Sequence, residues 1–345
     1  MLTGRREFIK NISLGMAGFT FGSTGLTPCA GASSPALSES RVSLTAGNDR
    51  RDIVSQALQP FRDDISRGIA GKQVIIKPNC VYQDNPLCAT HADAVRGVLD
   101  VLKPLYDRQI IIAESSIAGI GTLAVFEQYG YNELVKEYNV KLADLNEDSS
   151  TTLWIADSLR HPLAVNIIDT YLNPDNYIIS VAPMKTHDCV FATLAMKNMV
   201  MGSPLIQRDK KINEKPKMHQ GGVTGINHNM FLIANRVRPQ FSVIDGFTGM
   251  EGNGPISGTP VEHGIAVAGT DVVSVDRIGL ELMGIPYEDV GYLQWCGNAG
   301  IGQGDRTKIK VIGPDPAQHV IAYRLHEKAD QQHEWKDGSV EDSRR

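Results

Sequence analysis

The chain has 345 residues, 42% of them hydrophobic, with a formal net charge of −5 and an isoelectric point near 6.0. An acidic chain without a basic stripe argues against nucleic-acid binding, which leaves a basic footprint. Beyond the N-terminus no stretch reaches the roughly 18 apolar residues of a membrane span, so none is expected in the mature chain.

Residues 1–32 read as a twin-arginine signal peptide. Arg5-Arg6-Glu7-Phe8-Ile9-Lys10 fits the export pattern, a weakly apolar stretch runs from Ile12 to Leu26, and Ala30-Gly31-Ala32 offers a small-residue cleavage site. The expected partner is the twin-arginine translocation machinery, and the expected location is periplasmic or otherwise exported. Cleavage after Ala32 removes Cys29 and leaves Cys80, Cys88, Cys189 and Cys296, which an oxidising compartment permits to pair. No C-x-x-C occurs, so an iron–sulfur cluster is not expected.

Residues 33–50, rich in Ser, Ala and Gly, read as a linker. A single α/β domain is expected over 51–324. Its first helix spans Arg51 to Ile69 with an interruption at Pro60. Strand Val74-Ile75-Ile76 is followed by a helix from His91 to Leu102, capped by Thr90. Strand Ile110–Ala113, a helix from Leu123 to Tyr138 broken near Gly130, and a weaker strand Lys141–Asp144 come next. Leu163 to Tyr171 has β-type residues, and Tyr177–Val181 reads as a buried strand. A helix-like stretch runs from Val190 to Met201. Residues 207–229, with several lysines, His219 and little periodicity, read as an insertion of the kind that forms a lid or stays disordered. Strands at Phe241–Ile244 and Gly264–Ala268, a helix from Asp271 to Met283, another opened by Pro286, and a strand at Ile309–Ile312 complete the domain. Residues 325–345 read as a frayed polar tail. The alternation implies a largely parallel or mixed sheet flanked by helices.

Polar residues collect just after these strands: Lys77 and Asn79, Glu114, Lys185 and His187, Asp245, and Thr270-Asp271. In a parallel sheet they converge on one crevice outside the carboxyl ends of the strands. Singly, each has a duller reading. Asn79 is a turn residue, Glu114 and Asp271 are helix caps, and His219 is plain surface. Met184, Met196, Met199 and Met201 read as packing. Lys197 is hardest to dismiss, because its helix is apolar almost all round and a buried charge is costly without a partner or a job. Gly252 to Gly258 is a glycine-rich loop without dinucleotide spacing; it reads equally as a turn or as a close backbone approach to a ligand.

The ordered motifs Ile76-Lys77-Pro78-Asn79, Pro183-Met184-Lys185-Thr186-His187, Met196-Lys197-Asn198 with Gly202, Asp245-Gly246, Met250 to Pro255 with Gly258, and Thr270-Asp271 through Asp276 resemble domain-of-unknown-function family 362. The resemblance covers about Lys72 to Ile312 and implies an α/β domain, sometimes exported and sometimes fused to ferredoxin modules, whose cysteine clusters this chain lacks.

The leading expectation is an exported enzyme acting on a small anionic molecule. His187, Lys185 and Lys197 are the candidate catalytic residues, His187 as general acid/base because its ordinary pKa lies nearest neutrality. Lys77, Asn79, Asn198 and Glu114 are candidate substrate-binding residues. His187 with Asp245 and Glu251 is the candidate set for a divalent metal, which Asp188 and Cys189 could extend. The alternatives are a non-enzymatic anion- or metal-binding envelope protein, and a redox protein using Cys80 and Cys189.

Overall fold

The computed structural model describes residues 39–337, so the twin-arginine pattern and its cleavage site lie outside the described residues. The fold is α/β, built on a mixed, mostly parallel nine-stranded sheet. In chain order the sheet strands are β1 (Ser40–Ala46), β2 (Gln73–Lys77), β3 (Ile110–Glu114), β4 (Val140–Asp144), β7 (Asn176–Thr186), β8 (Ala192–Thr193), β11 (Phe241–Glu251), β12 (Thr259–Gly269) and β13 (Ile309–Ile312). Two small antiparallel pairs stand apart: β5 (Ser150–Ala156) with β6 (Pro162–Ile168), and β9 (Ile206–Gln207) with β10 (Ile212–Asn213).

The sheet order is β13-β1-β12-β11-β7-β2-β3-β4, and β8 folds back on β7. From β11 to β4 every pairing is parallel. β12 is antiparallel to both β11 and β1. The chain steps outward from β2 to β3 to β4, then returns to the other side of β2 as β7. The β2/β7 boundary is therefore a topological switch point, where the carboxyl ends leave a crevice.

Period-2 alternation explains the layers. Val74, Ile76, Ile179, Val181, Phe241 and Val243 face one core. That core is covered by α1 (Arg50–Leu58), α2 (Arg62–Ile69), α3 (Ala92–Leu102), α4 (Thr122–Gln128) and α5 (Tyr131–Glu137). Ile75, Ile178, Ile244, Ile265 and Val267 face the other. It is covered by α6 (Ala195–Gly202), α7 (Gly222–Ala234), α8 (Val272–Leu282) and α9 (Gly291–Asn298). Met184, Met196 and Met199 are buried in this second core, as packing residues.

Several boundaries differ from expectation. Residues 40–46 are not linker: β1 sits between β12 and β13, its Val42 and Leu44 fully buried. Thr90 does not cap α3; His91 does, and the Thr90 hydroxyl donates to Val181 O at 2.6 Å while accepting from Asn79 N at 2.8 Å. Strand β7 runs on through Lys185 and Thr186, so the helix expected from Val190 starts only at Ala195. The 207–229 stretch is structured: it forms part of the β9–β10 pair, a 3-10 turn at Lys215–His219 with Met218 buried, and the first half of α7. Thr270-Asp271 follows a strand that runs against its neighbours, which puts it at the opposite edge from the crevice. Asp271 there caps α8 through Val273 N and Ser274 N.

The described part of the polar tail is structured, with a 3-10 turn at Ala329–His333 and the short helix α10 (Glu334–Asp337). Buried Gln332 accepts from Phe191 N, and its amide donates to His187 O at 2.8 Å. Trp335 donates to Asp289 O, and its ring packs against Gly291. Removing Gln332 leaves a buried donor and a buried acceptor unpaired, which costs about 1–3 kcal/mol. Gln332→Ala is therefore expected to lower the denaturation midpoint and to raise hydrogen exchange at Phe191. An unchanged exchange pattern would show that the tail does not hold this loop.

Candidate functional site

The site starts from a charge the fold cannot solvate. Lys77, the last residue of β2, shares the parity of Ile75 and points under α6, where it is fully buried. Its ammonium donates to Glu114 Oε1 (3.0 Å) and Oε2 (2.9 Å), Asn198 Oδ1 (2.8 Å) and Pro78 O (3.1 Å). Glu114, at the end of β3, also accepts from Ser115 N (2.8 Å) and Cys80 N (3.2 Å). Gly202 makes this fit possible: a Cβ there would lie 2.3 Å from Lys77 Cε.

The network runs on. Asn198 Oδ1 also accepts from Asn79 Nδ2 at 3.1 Å, and its own amide donates to Ser180 Oγ (3.0 Å) and Lys77 O (3.3 Å). Asn79 Oδ1 accepts from Lys185 Nζ at 2.8 Å, and Lys185 also donates to Cys88 O at 3.0 Å. Two ammonium groups thus orient both asparagine amides. Glu114, Lys77, Asn198, Asn79 and Lys185 form one hydrogen-bonded chain across β3, β2, α6 and β7.

Helix α6 is held at its start by Asp276 of α8, whose carboxyl accepts from Ala195 N and Met196 N, both at 2.9 Å. A carboxylate suits a helix N-terminus, although burial pushes this one up to about 7. Asn198 turns toward β2, so its neighbour Lys197 points elsewhere, into a cavity of about 150 Å³ at the β2/β7 crevice. Lys185, His187, Ser116, Lys215, His219 and Pro255 also line this cavity. Lys197 is 8% exposed. Every other lysine in the wall donates to a described residue: Lys77 to four acceptors, Lys185 to two, and Lys215 to Ser115 O at 2.7 Å. Lys197 has no hydrogen bond or ion pair among the described residues.

Electrostatics follow from burial. Burial, then Lys185, pulls the Lys197 ammonium down to about 7. Burial also takes Lys185 and Lys215 to about 8. His187, 5% exposed, is pulled down to about 3 by burial and then by Lys197. It is neutral at pH 7, so its expected role as a near-neutral acid/base gives way to that of a fixed neutral dipole. Its Nδ1 accepts from Cys189 N and lies 3.0 Å from Asp188 Oδ1.

The expected metal set is not assembled. Asp245 is buried against Arg50 Nε (3.3 Å) and accepts from Phe247 N. Glu251 accepts from Arg324 N at 2.9 Å. Neither carboxylate joins His187. The ligand atoms of His187, Asp188 and Cys189 do lie within 4.8 Å of one another, a group that could hold a metal ion.

Lys77 and Glu114, expected to bind substrate, satisfy each other; an ammonium with four acceptors has no proton left for a ligand. The glycine-rich loop packs closely on protein, since a Cβ on Gly254 would meet Thr186 O at 2.1 Å, and its Pro255 lines the cavity. Cys80, Cys88, Cys189 and Cys296 carry no disulfide. Burial raises the Cys80 thiol strongly and the Cys189 thiol to about 12, which disfavours the thiolate a redox site needs. The sequence offers no site role for Lys215 or Gln332, reads His219 as plain surface and places Asp276 only within the family motif. Lys215 has the same local surroundings in sequence as exposed Lys210 and Lys211, so no local signal separates it.

The family profile described as Domain of unknown function (DUF362) matches residues 74–281, more than half of the chain. The chain belongs to this family. All the lysines of the cavity fall inside the DUF362 match. Over 217 residues the chain is 24% identical to the thylakoid-associated protein sll1697 of Synechocystis, an alignment covering 62% of this chain and 63% of that relative. The chain therefore matches less than two thirds of the relative's length. A solved structure of a Thermotoga maritima protein is similar at a TM-score of 0.42 and 11% identity, over 74% of this chain and 59% of that one. No described helix is long and apolar enough to cross a membrane.

Breaking a buried ion pair from one side strands the other charge and costs about 3–5 kcal/mol, whereas replacing both partners by apolar groups is far cheaper. Glu114→Gln is expected to destabilise the DUF362 domain by about that amount in urea unfolding. Lys77→Met combined with Glu114→Leu should recover a large part of it. If Glu114→Gln costs less than about 1 kcal/mol, the pair does not hold the site together.

Proposed function

We propose that this DUF362 domain is an exported enzyme whose lysine-lined cavity takes a small anionic molecule. One observation carries the reading: Lys197, nine-tenths buried on an apolar helix, faces the cavity with no hydrogen-bond partner. Lys185 and Lys215 add positive charge to the same wall. Lys77 is already neutralised by Glu114, and Asp188, half-exposed, is the one other carboxylate close to Lys197. An uncompensated positive cavity of about 150 Å³, the space of roughly five waters, suits a small anion or the anionic end of a larger molecule. The signal pattern at Arg5 to Lys10 supports periplasmic or otherwise exported placement by the twin-arginine machinery.

Sulfate, which does not titrate near neutrality, is a suitable probe. Lysines pulled down to between about 7 and 8 lose their protons as pH rises from 6.5 to 9, and an anion needs the protonated forms. Sulfate affinity measured by calorimetry is expected to fall about tenfold or more across that range. It should be weak at every pH in Lys197→Met. Affinity indifferent to both pH and this substitution would remove the reading.

A second reading rests on His187, Asp188 and Cys189, whose ligand atoms cluster within 4.8 Å. It assigns the domain a divalent metal, with His187 and Cys189 favouring a borderline-soft ion such as zinc. Elemental analysis of natively exported protein should then find about one metal per chain, lost in His187→Ala. Metal-free wild-type protein with intact anion binding would decide for the first reading alone.

A further inference from the structure

We infer that Lys197 is a covalent nucleophile, whose amine condenses with the carbonyl carbon of a small 2-oxo acid while Lys185 and Lys215 hold the carboxylate. This rests on the anion-binding reading above and names the substrate class of that site.

The argument begins from what the lysines of the cavity donate to. A lysine acts as a nucleophile only through the lone pair of its neutral amine. Lys77 spends its protons on four acceptors. Lys185 has two acceptors and Lys215 has one, so each stays a cation with a proton to spare for an anion. Lys197 has none. With nothing to accept from it, a buried ammonium is disfavoured and the amine is the better-tolerated form. Lys185 and Lys215 oppose its charge, Asp188 and Cys189 favour it, and the net result with burial is about 7. At pH 7 roughly half of Lys197 is then free amine, against roughly one part in 2,500 for an ordinary lysine.

The backbone is fixed on both sides of this side chain. Asp276 holds the start of α6, and Asn198 is tied to Lys77, Ser180 and Asn79. The amine is therefore presented to the cavity from a rigid element, which lowers the entropic cost of attack. A carbonyl next to the carboxylate suits a cavity of about 150 Å³, in which the anion-holding lysines and Lys197 share one wall.

The step balances without an oxidant. The amine lone pair forms a C–N bond to the carbonyl carbon, the carbonyl π pair moves to oxygen, and one proton of the attacking nitrogen passes to that oxygen to give the neutral carbinolamine. The carbinolamine then loses water: its hydroxyl leaves with a proton from a cationic lysine of the wall, and the nitrogen lone pair closes the C=N bond to give a protonated imine.

The test uses the full exported chain with pyruvate or glyoxylate and cyanoborohydride at pH 7, followed by intact mass and peptide mapping. Expected is one reduced adduct per chain on Lys197. It should form about a hundredfold faster than adducts on exposed lysines and be suppressed by sulfate. Lys197→Arg should abolish it while retaining sulfate binding. Mapping the wild-type chain keeps the test independent of whether that variant folds. Sulfate binding without an adduct, or with adducts on Lys185, Lys215 or scattered surface lysines, overturns the covalent role and leaves the anion reading standing. Neither sulfate binding nor adduct overturns both.

Discussion

The structure depends on how a few lysine ammonium groups are buried with one buried carboxylate between them. Glu114 neutralises Lys77, and that pair fixes everything around it. Stranding either charge in a low-dielectric interior is expensive, so the ends of β2 and β3 are locked together and α6 must bring Asn198 and Gly202 against them. Both asparagine amides are oriented by ammonium groups: Lys185 donates to Asn79 and Asn79 to Asn198, whose oxygen also accepts from Lys77. A network satisfied at every member rigidifies what it touches.

Chemistry begins where that satisfaction stops. Lys197 neighbours Asn198 in sequence, yet the helical turn sends it to the cavity, where nothing accepts from it. Two adjacent residues of one short helix thus have opposite surroundings, one bonded on every side and one without an acceptor among the described residues. His187, two residues along β7's path from Lys185, is buried so completely that it stays neutral, and the carboxyl of Asp276 stays fixed under α6. The site is a rigid, lysine-lined pocket.

The walls come from segments whose composition suggested solvent. The Lys-rich stretch after β9 delivers Lys215 and His219 to the cavity. The polar tail returns across α7 to hold the loop between His187 and Phe191 through Gln332. Neither segment has hydrophobic periodicity to announce this, because each contributes one or two polar contacts and little apolar face.

The sequence by itself determined the α/β class, most strand and helix positions and the family resemblance, and it pointed to Lys185, His187, Lys197 and Asn198, which the fold gathers around one cavity. It could do so because apolar periodicity and strand-end polarity are local signals. It misplaced β1 as linker, since seven residues of mixed composition pair only through distant β12 and β13. It expected Thr270-Asp271 in the crevice, since strand direction is invisible until β12 is seen to run against β11. Only tertiary structure decided which lysine has four acceptors and which has none, and that Asp245 and Glu251 belong to Arg50 and Arg324. Hydrogen-bond partners lie scores of residues apart, Lys77 to Asn198 or His187 to Gln332, and burial sets a pKa through everything packed around a group. Neither quantity is carried by the residues next door in the chain.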